Sequence, residues 1–350
     1  MMGYELVSII IATYNSAKHL GKVLEAIRRQ NYPQDSVEIL IVDGGSSDET
    51  CTLAQKNGCI VLHNPKTEPV HAKLLGLQHA NGKYILFLDH DEVMENSRSI
   101  SRKVDAIQQN PQCHVVLGSG YKRPQGYPRI NQYISEYGDP FSLFLYNFSK
   151  YDTCLEKLLL KYYRVIRAEK DYICIDFAGR KKEPIIELCC LGTMLDNSYF
   201  SKIPHAYTDG KVMTHLFYVM LEKGDTAVIC MKDDALLHYS ADSVKAYLPK
   251  LKWRVCNNIH FPEMGESGVS GRLKYQKNLK IKRYFFVPYA LLILPALLHG
   301  MWLAVLRRNP VYLLHPYFSF YVVIQIIWQS MMKVMGIRPR MKSYDGKKEI

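Results

Sequence analysis

Two aspartates stand two residues apart where an apolar run ends, Asp89 and Asp91 in YILFLDHDE. Side chains alternate along an extended chain, so both carboxylates would face one way and His90 the other. Neighbouring carboxylates repel unless they share a cation. A hard divalent ion bridging them to a diphosphate is the economical arrangement. The same residues also suit a solvated acidic turn. A second segment, EILIVDGGSSDET, ends an apolar run on Asp43 and follows it with a glycine-rich backbone open to close approach by a ligand. A third, VSIIIATYN, ends in Thr13, Tyr14 and Asn15, an aromatic face beside short polar side chains that could stack a base and grip a ribose. An ordinary turn with an N-cap, and Tyr14 packing on a sheet, are the plainer alternatives for these two.

The elements around these residues explain why they would meet. Val7–Ala12 is a continuous, β-branched apolar run that suits a strand buried on both faces. Glu38–Val42, Cys59–Leu62, Lys83–Leu88 and His114–Leu117 read as further strands. Between them, Ala17–Gln30, Asp48–Asn57, Val70–Ala80 and Ser97–Gln109 read as helices, Asp48 capping the second. Strands separated by helices imply an α/β fold with a mostly parallel sheet flanked by helices. Ligands on such sheets bind at the carboxyl ends of the strands, where Thr13, Tyr14, Asn15, Asp43, Asp89 and Asp91 fall. The first strand-to-helix turn is TYNS and not GxGxxG, GxxxxGK[ST] and HExxH are absent, and no GxSxG stands at a strand-turn-helix elbow.

In this order, VSIIIATYN, EILIVDGGSSDET and GKYILFLDHDE closely resemble the family 2 glycosyltransferases, which bind nucleotide sugars on a GT-A fold. The resemblance covers residues 6–120 strongly and 186–260 more loosely. It implies an inverting enzyme that uses a divalent metal ion, Mn²⁺ or Mg²⁺. By position, Thr13 and Tyr14 would line the nucleobase with Asn15 in the same donor site, and Asp43 would bond to the base or ribose. Lys73, in HAKLLGLQHANG, would lie near the diphosphate, a solvated helix lysine being the alternative. Asp89 would hold the ribose or metal shell, and Asp91 would be the direct metal ligand.

The resemblance also divides the chain. Residues 1–120 would be the nucleotide-sugar half, 121–185 an insertion to which acceptor binding is one role open, and 186–262 the acceptor half. Within the insertion Pro124, Pro128 and Pro140 prevent one long helix, and Leu155–Ala168 reads as a basic amphipathic helix. In HAYTDGKVMTHLFYVMLEKG the family carries an acidic pair opening a helix; here it is Thr208-Asp209. A carboxylate there could take the proton of an attacking acceptor hydroxyl, or merely cap Gly210–Leu221. His238 would complete the metal or diphosphate shell, or be a satisfied core side chain. Lys245, Lys250, Lys252 and Arg254 could clamp the diphosphate, or form a solvated basic face.

Composition bounds the rest. The chain has 350 residues, 48% hydrophobic and 22% charged, and so can bury a core. Its net charge of +12 calls for an anionic partner. Nine scattered cysteines without CxxC spacing suit reduced thiols facing the cytosol. The apolar N-terminal run is too short for a signal peptide, and no basic n-region precedes it. Residues 263–283 read as a linker and 336–350 as a basic tail. Between them, residues 284–335 read as a two-helix membrane hairpin. Tyr284–Leu306 contains no Asp, Glu, Lys or Arg, and Val311–Met332 is less pure, interrupted by His315, Gln325 and Gln329. Lys280, Lys282, Arg283, Lys333, Arg338, Arg340 and Lys342 flank the hairpin while only Arg307 and Arg308 lie within it, which favours both ends in the cytosol.

The expectation is therefore a membrane-anchored glycosyltransferase at the cytosolic face of the cell membrane. It would pass a hexosyl or N-acetylhexosaminyl group from a nucleotide sugar, a UDP-sugar, to a hydroxyl of a lipid-linked saccharide in glycan or polysaccharide assembly. Transfer to a polyprenyl phosphate is the alternative within the same fold. The missing first acid before Asp209 also admits an inactive scaffold. Nucleic acid is not an expected partner, because no RNA- or DNA-binding signature accompanies the charge.

Overall fold

The apolar run from Val7 forms β1 (Val7–Thr13), flanked by parallel β2 (Val37–Asp43) and β4 (Tyr84–Asp89). Ile9, Ile10 and Ile11 are wholly shielded, as a central strand with both faces covered requires. The register sets Thr13 beside Asp43 and Ala12 beside Asp89, so the polar residues that end each run arrive together. The computed structural model describes residues 4–261 and 266–340. Lys342 and most of the basic tail lie outside them.

Among the described residues the main sheet runs β3 (Ile60–His63), β2, β1, β4, β10 (Met194–Asp196), β6 (Val115–Leu117), β11 (Ala227–Met231), β9 (Tyr172–Asp176), β8 (Arg164–Ala168). The first four strands are parallel, as are β6 and β11, but β10 opposes both its neighbours and β9 opposes both β11 and β8. The sheet is mixed, not mostly parallel. The short link between β8 and β9 leaves no room for the crossover a parallel pair needs. That hairpin also corrects the expected helix over Leu155–Ala168: the helix covers Asp152–Tyr162, and the β-branched pair Val165-Ile166 enters an edge strand instead. A smaller sheet joins β5 (Glu92–Met94), β12 (Ala235–His238) and β7 (Gly120–Lys122).

Helices α1 (Ala17–Arg28), α2 (Thr50–Lys56), α3 (Pro69–His79) and α4 (Ser99–Gln109) connect the early strands. In α1 the apolar face Leu20, Val23, Leu24 and Ile27 is buried. Asp48 does not cap α2 directly; its carboxylate accepts from the backbone of both Thr50 and Ala17, joining the starts of two helices. Glu68 caps α3 through the N–H groups of Val70 and His71, and Pro69 takes the first helical position. Helix α3 lies so close to β1 that a Cβ on Gly76 would come within 2.4 Å of the Ile10 Cγ2.

The chain divides into two units. The first comprises Met1–Lys122, Tyr151–Lys182 and Ile186–Tyr239 and holds both sheets. The second comprises Arg123–Lys150, Glu183–Ile185 and Ser240–Ile350 and, among the described residues, is helical. The expected insertion over residues 121–185 is thus shared, since its later part supplies β8 and β9. Within the second unit, helix Val244–His260 and the helices of Arg123–Lys150 enclose a core of Tyr133, Tyr247, Phe286, Tyr312 and Phe318.

Most of the expected linker over 263–283 is also helical where described, with Leu273 and Gln276 buried. Of the two apolar stretches, the first is broken near Pro295 and the second is continuous. Helices Leu279–Leu291 and Leu294–Leu306 meet at 92°, Ile293 adopting φ 58 at the break, whereas Pro310–Val334 is one helix of 25 residues. Pro295 supplies no N–H for the Leu291 carbonyl, which removes a helical bond at that corner.

Replacing Gly76 with Ala should force α3 off β1 and cost about 1–3 kcal/mol. A lowered urea midpoint with an unchanged slope is the expected reading.

Candidate functional site

The first two strand ends are tied together by their own polar side chains. Asp43, 3% exposed, accepts the Thr13 hydroxyl at 3.0 Å, the Gly45 and Ser46 N–H groups at 2.9 and 2.8 Å, and the Ser46 hydroxyl at 2.5 Å. Asn15, with φ 47, donates its N–H to the Ser46 hydroxyl and accepts the Ser47 N–H on its side chain. Asn tolerates this left-handed geometry better than most residues. Gly44 lies against Thr67, whose hydroxyl donates to the Gly44 carbonyl. The ATYN and DGGSSD loops therefore form one braced rim, with Tyr14 half-buried in it. Asp43 braces this rim with lone pairs that a ligand was expected to occupy.

The chain is not extended through LDHDE. Strand β4 ends at Asp89, β5 begins at Glu92, and His90-Asp91 form the turn between them. Alternation therefore does not govern the two carboxylates, which turn to different partners. Asp89 meets the Lys73 ammonium at 2.6 Å. Lys73 is 7% exposed and donates also to the Cys189 carbonyl at 2.7 Å, so it is not the solvated lysine considered from sequence. Burial by itself lowers an ammonium pKa, but the Asp89 carboxylate together with Cys189 and Cys190 holds Lys73 above its ordinary value.

Asp91 faces the smaller sheet. Strand β12 runs antiparallel to β5 with His238 opposite Glu92, which brings His238 Nε2 to 3.8 Å from Asp91 Oδ2. Tyr121 stacks on the His238 ring at 4.5 Å, and the Tyr239 N–H donates to the Asp91 carbonyl at 2.8 Å. Among the described residues no three His, Cys, Asp or Glu side chains converge as metal ligands. The donor set is one carboxylate oxygen and one imidazole nitrogen. That pair fits a divalent ion that takes its remaining ligands from diphosphate oxygens and water.

Asp209 caps the short helix Gly210–Thr214, accepting the Lys211 N–H at 2.8 Å. The expected helix to Leu221 breaks at His215 and resumes as Leu216–Glu222. The Asp209 turn is fixed to α3, which also carries Lys73: Gln78 donates to the Tyr207 carbonyl at 2.8 Å, and Gly210 packs on Val70. Arg254 belongs to the second unit, where it bonds to the Gly138 carbonyl at 3.1 Å and to Asp139 at 3.2 Å. This pairing occupies the guanidinium expected to clamp a diphosphate.

Glu92 and Tyr121 were missed from sequence. Glu92 is wholly buried, accepts the Asp89 N–H at 3.1 Å and the Tyr121 hydroxyl, and thereby holds the DHDE turn. Burial first, and then the Asp89 carboxylate, push its carboxyl up to about 8. An acidic residue directly after the DHD triplet was the available signal. Its partner lies on a distant strand, which no local pattern reveals.

Residues 8–175 match the family model for glycosyl transferase family 2. Over 123 residues it is 33% identical to glycosyltransferase GlyG of Streptococcus pneumoniae, a match covering 33% of this chain and 40% of that relative. Over 87 residues it is 34% identical to the dolichyl N-acetyl-alpha-D-glucosaminyl phosphate 3-beta-D-2,3-diacetamido-2,3-dideoxy-beta-D-glucuronosyltransferase of Methanococcus voltae, covering 23% of this chain and 27% of that one. The matched segments thus span less than half of these curated relatives. The mannosyltransferase PcManGT of Pyrobaculum calidifontis, solved with GDP-Man and Mn²⁺, shares the fold with a TM-score of 0.52 at 15% identity, covering 93% of this chain and 88% of that one. The fold is GT-A-like α/β with a mixed sheet.

Replacing Lys73 with Met should leave Asp89 without its counter-charge. A stability loss of about 1–3 kcal/mol by chemical denaturation is expected, together with weakened nucleotide binding by calorimetry.

Proposed function

We propose that the protein is an inverting glycosyltransferase that moves a sugar from a nucleotide sugar, a UDP-sugar, to a hydroxyl of a lipid-linked saccharide. The observation that carries this reading is the pairing of Asp91 with His238 beside a rim braced by Asp43 and an Asp89 already neutralised by Lys73. This leaves one carboxylate and one imidazole to meet a cation–diphosphate, with Tyr14 and Asn15 at the rim to contact the nucleoside.

Asp91 and His238 would hold the divalent ion, Mn²⁺ or Mg²⁺. Such an ion, when bound, supplies positive charge to a departing diphosphate. Lys73 keeps Asp89 in place, and Glu92 with Tyr121 keeps the turn from spreading. Asp209 receives the proton of the acceptor hydroxyl as it attacks the anomeric carbon. The link between its turn and α3 keeps it in register with Lys73.

The acceptor class rests on two supports. The Methanococcus voltae relative is named for transfer to a dolichyl-phosphate-linked sugar. The C-terminal helices of this chain expose apolar side chains such as Leu292, Val305 and Trp328. These fit attachment at the cytosolic face of the cell membrane, where a lipid-linked acceptor is within reach.

Calorimetry with UDP-sugars, with and without Mn²⁺, tests the donor site. Metal-dependent binding should be lost in Asp91→Asn and weakened about tenfold in His238→Ala. Failure of any nucleotide sugar to bind in the presence of metal would sink the reading. Replacing Asp209 with Asn should lower turnover by about 10²–10⁴ with donor binding intact. Unchanged turnover would instead assign an acceptor that is already ionised, a polyprenyl phosphate.

A further inference from the structure

On helix Pro310–Val334 the exposed residues Tyr317, Phe320, Ile324, Trp328 and Met331 recur every three or four positions and so form one stripe along the helix. His315, Phe318, Val322 and Gln329 occupy another face and are buried within the second unit. Helix Leu294–Leu306 likewise exposes Leu294, Leu298, Met301, Trp302 and Val305. From Ser267 to Arg340 the sequence contains no Asp or Glu, while Lys and Arg occur throughout its flanks and at Arg307-Arg308. A second copy of the chain would bring like charges together on such a surface. An anionic bilayer satisfies both the apolar stripes and the cations.

The turn between the two apolar stretches shows how that bilayer is engaged. Arg307 donates from Nε to Glu136 at 2.7 Å, and Glu136 is wholly buried. The Tyr312 hydroxyl donates to the same carboxylate, and Asn309 donates to the Gln132 side chain at 2.7 Å. Gln132 and Glu136 lie on helix Ile130–Tyr137, in the excursion Arg123–Lys150 that starts after β7 and ends before helix Asp152–Tyr162. Its two helices have 8 and 7 residues. Helices that short reach only ~12 Å, against the ~30 Å of a hydrocarbon layer, so the excursion cannot cross and return. The turn bonded to it stays on the same side.

The other end of the apolar region is held in the same way. Gln329 bonds to His260 at 3.0 Å, and Lys333 donates to the Ile259 carbonyl at 2.7 Å. Both partners end helix Val244–His260, which carries Lys245, Lys250, Lys252 and Arg254 and cannot enter hydrocarbon. The 92° break at Ile293 adds that the first stretch does not run straight through.

Resting on the membrane attachment proposed above, we infer that the C-terminal helices form a one-sided anchor. They dip into an anionic bilayer and return, and Arg307-Arg308 stay on the side of residues 123–150. The helix Pro310–Val334, though long enough to span, lies along the interface.

The test uses the full chain with single cysteines introduced as Arg308→Cys and Arg129→Cys, both at exposed positions. Sealed membrane vesicles of both orientations are treated with a membrane-impermeant maleimide, and labelled peptides are mapped by mass against the unsubstituted chain. Labelling of both positions from the same face is expected; labelling from opposite faces overturns the inference and restores a crossing hairpin. In parallel, the purified chain is floated with phosphatidylethanolamine–phosphatidylglycerol vesicles. Leu298→Glu should reduce the vesicle-bound fraction about tenfold without moving the unfolding midpoint. A chain that stays soluble as a dimer and ignores these vesicles also overturns it. Neither readout depends on sugar transfer, so loss of the enzymatic reading and loss of the anchor are told apart.

Discussion

Four carboxyl groups crowd the ends of β2 and β4 and the turn into β5, and each is accommodated by a different device. Asp43 is met by backbone N–H groups and two hydroxyls, Asp89 by the buried Lys73 ammonium, Asp91 by the His238 imidazole, and Glu92 by a pKa raised through burial. Without these devices the charges would repel in a place where little water can screen them. The rim persists because each carboxyl group has its own partner.

Helix α3 connects these devices to the turn that carries Asp209. Gly76 lets it lie directly on β1, Lys73 reaches Asp89 from its middle, and Val70 and Gln78 hold the turn that carries Asp209. The small sheet does the corresponding work for Asp91. Its strands β5, β7 and β12 come from distant parts of the chain, and their pairing is what sets His238 opposite Glu92. Charge neutralisation and positioning are thus performed by the same contacts.

The second unit places a polar network beside its aromatic core and leaves apolar side chains on its exterior. Glu136, Arg307, Tyr312, Gln132 and Asn309 form bonded groups beneath helices whose outer faces are hydrophobic.

The local pattern of the sequence determined the strands and helices of the first third and the residues at their ends, because buried β-branched runs and 3.6-residue apolar periodicity are short-range signals. Thr13, Asp43, Asp89 and Asp91 were legible for that reason, and so was Asp209 at a helix start. Tertiary structure alone decided what each does. Lys73 is committed to Asp89, Arg254 to Asp139, and Glu92 to the Asp89–Tyr121 contact, because their partners are far away in the chain. Alternation failed across LDHDE because a turn intervenes, and the apolar run after Tyr284 does not by itself give the 92° angle of the bend at Ile293. Hydropathy records how apolar a segment is, whereas its direction follows from backbone dihedrals and from the buried bonds, such as Arg307 to Glu136, that hold its ends.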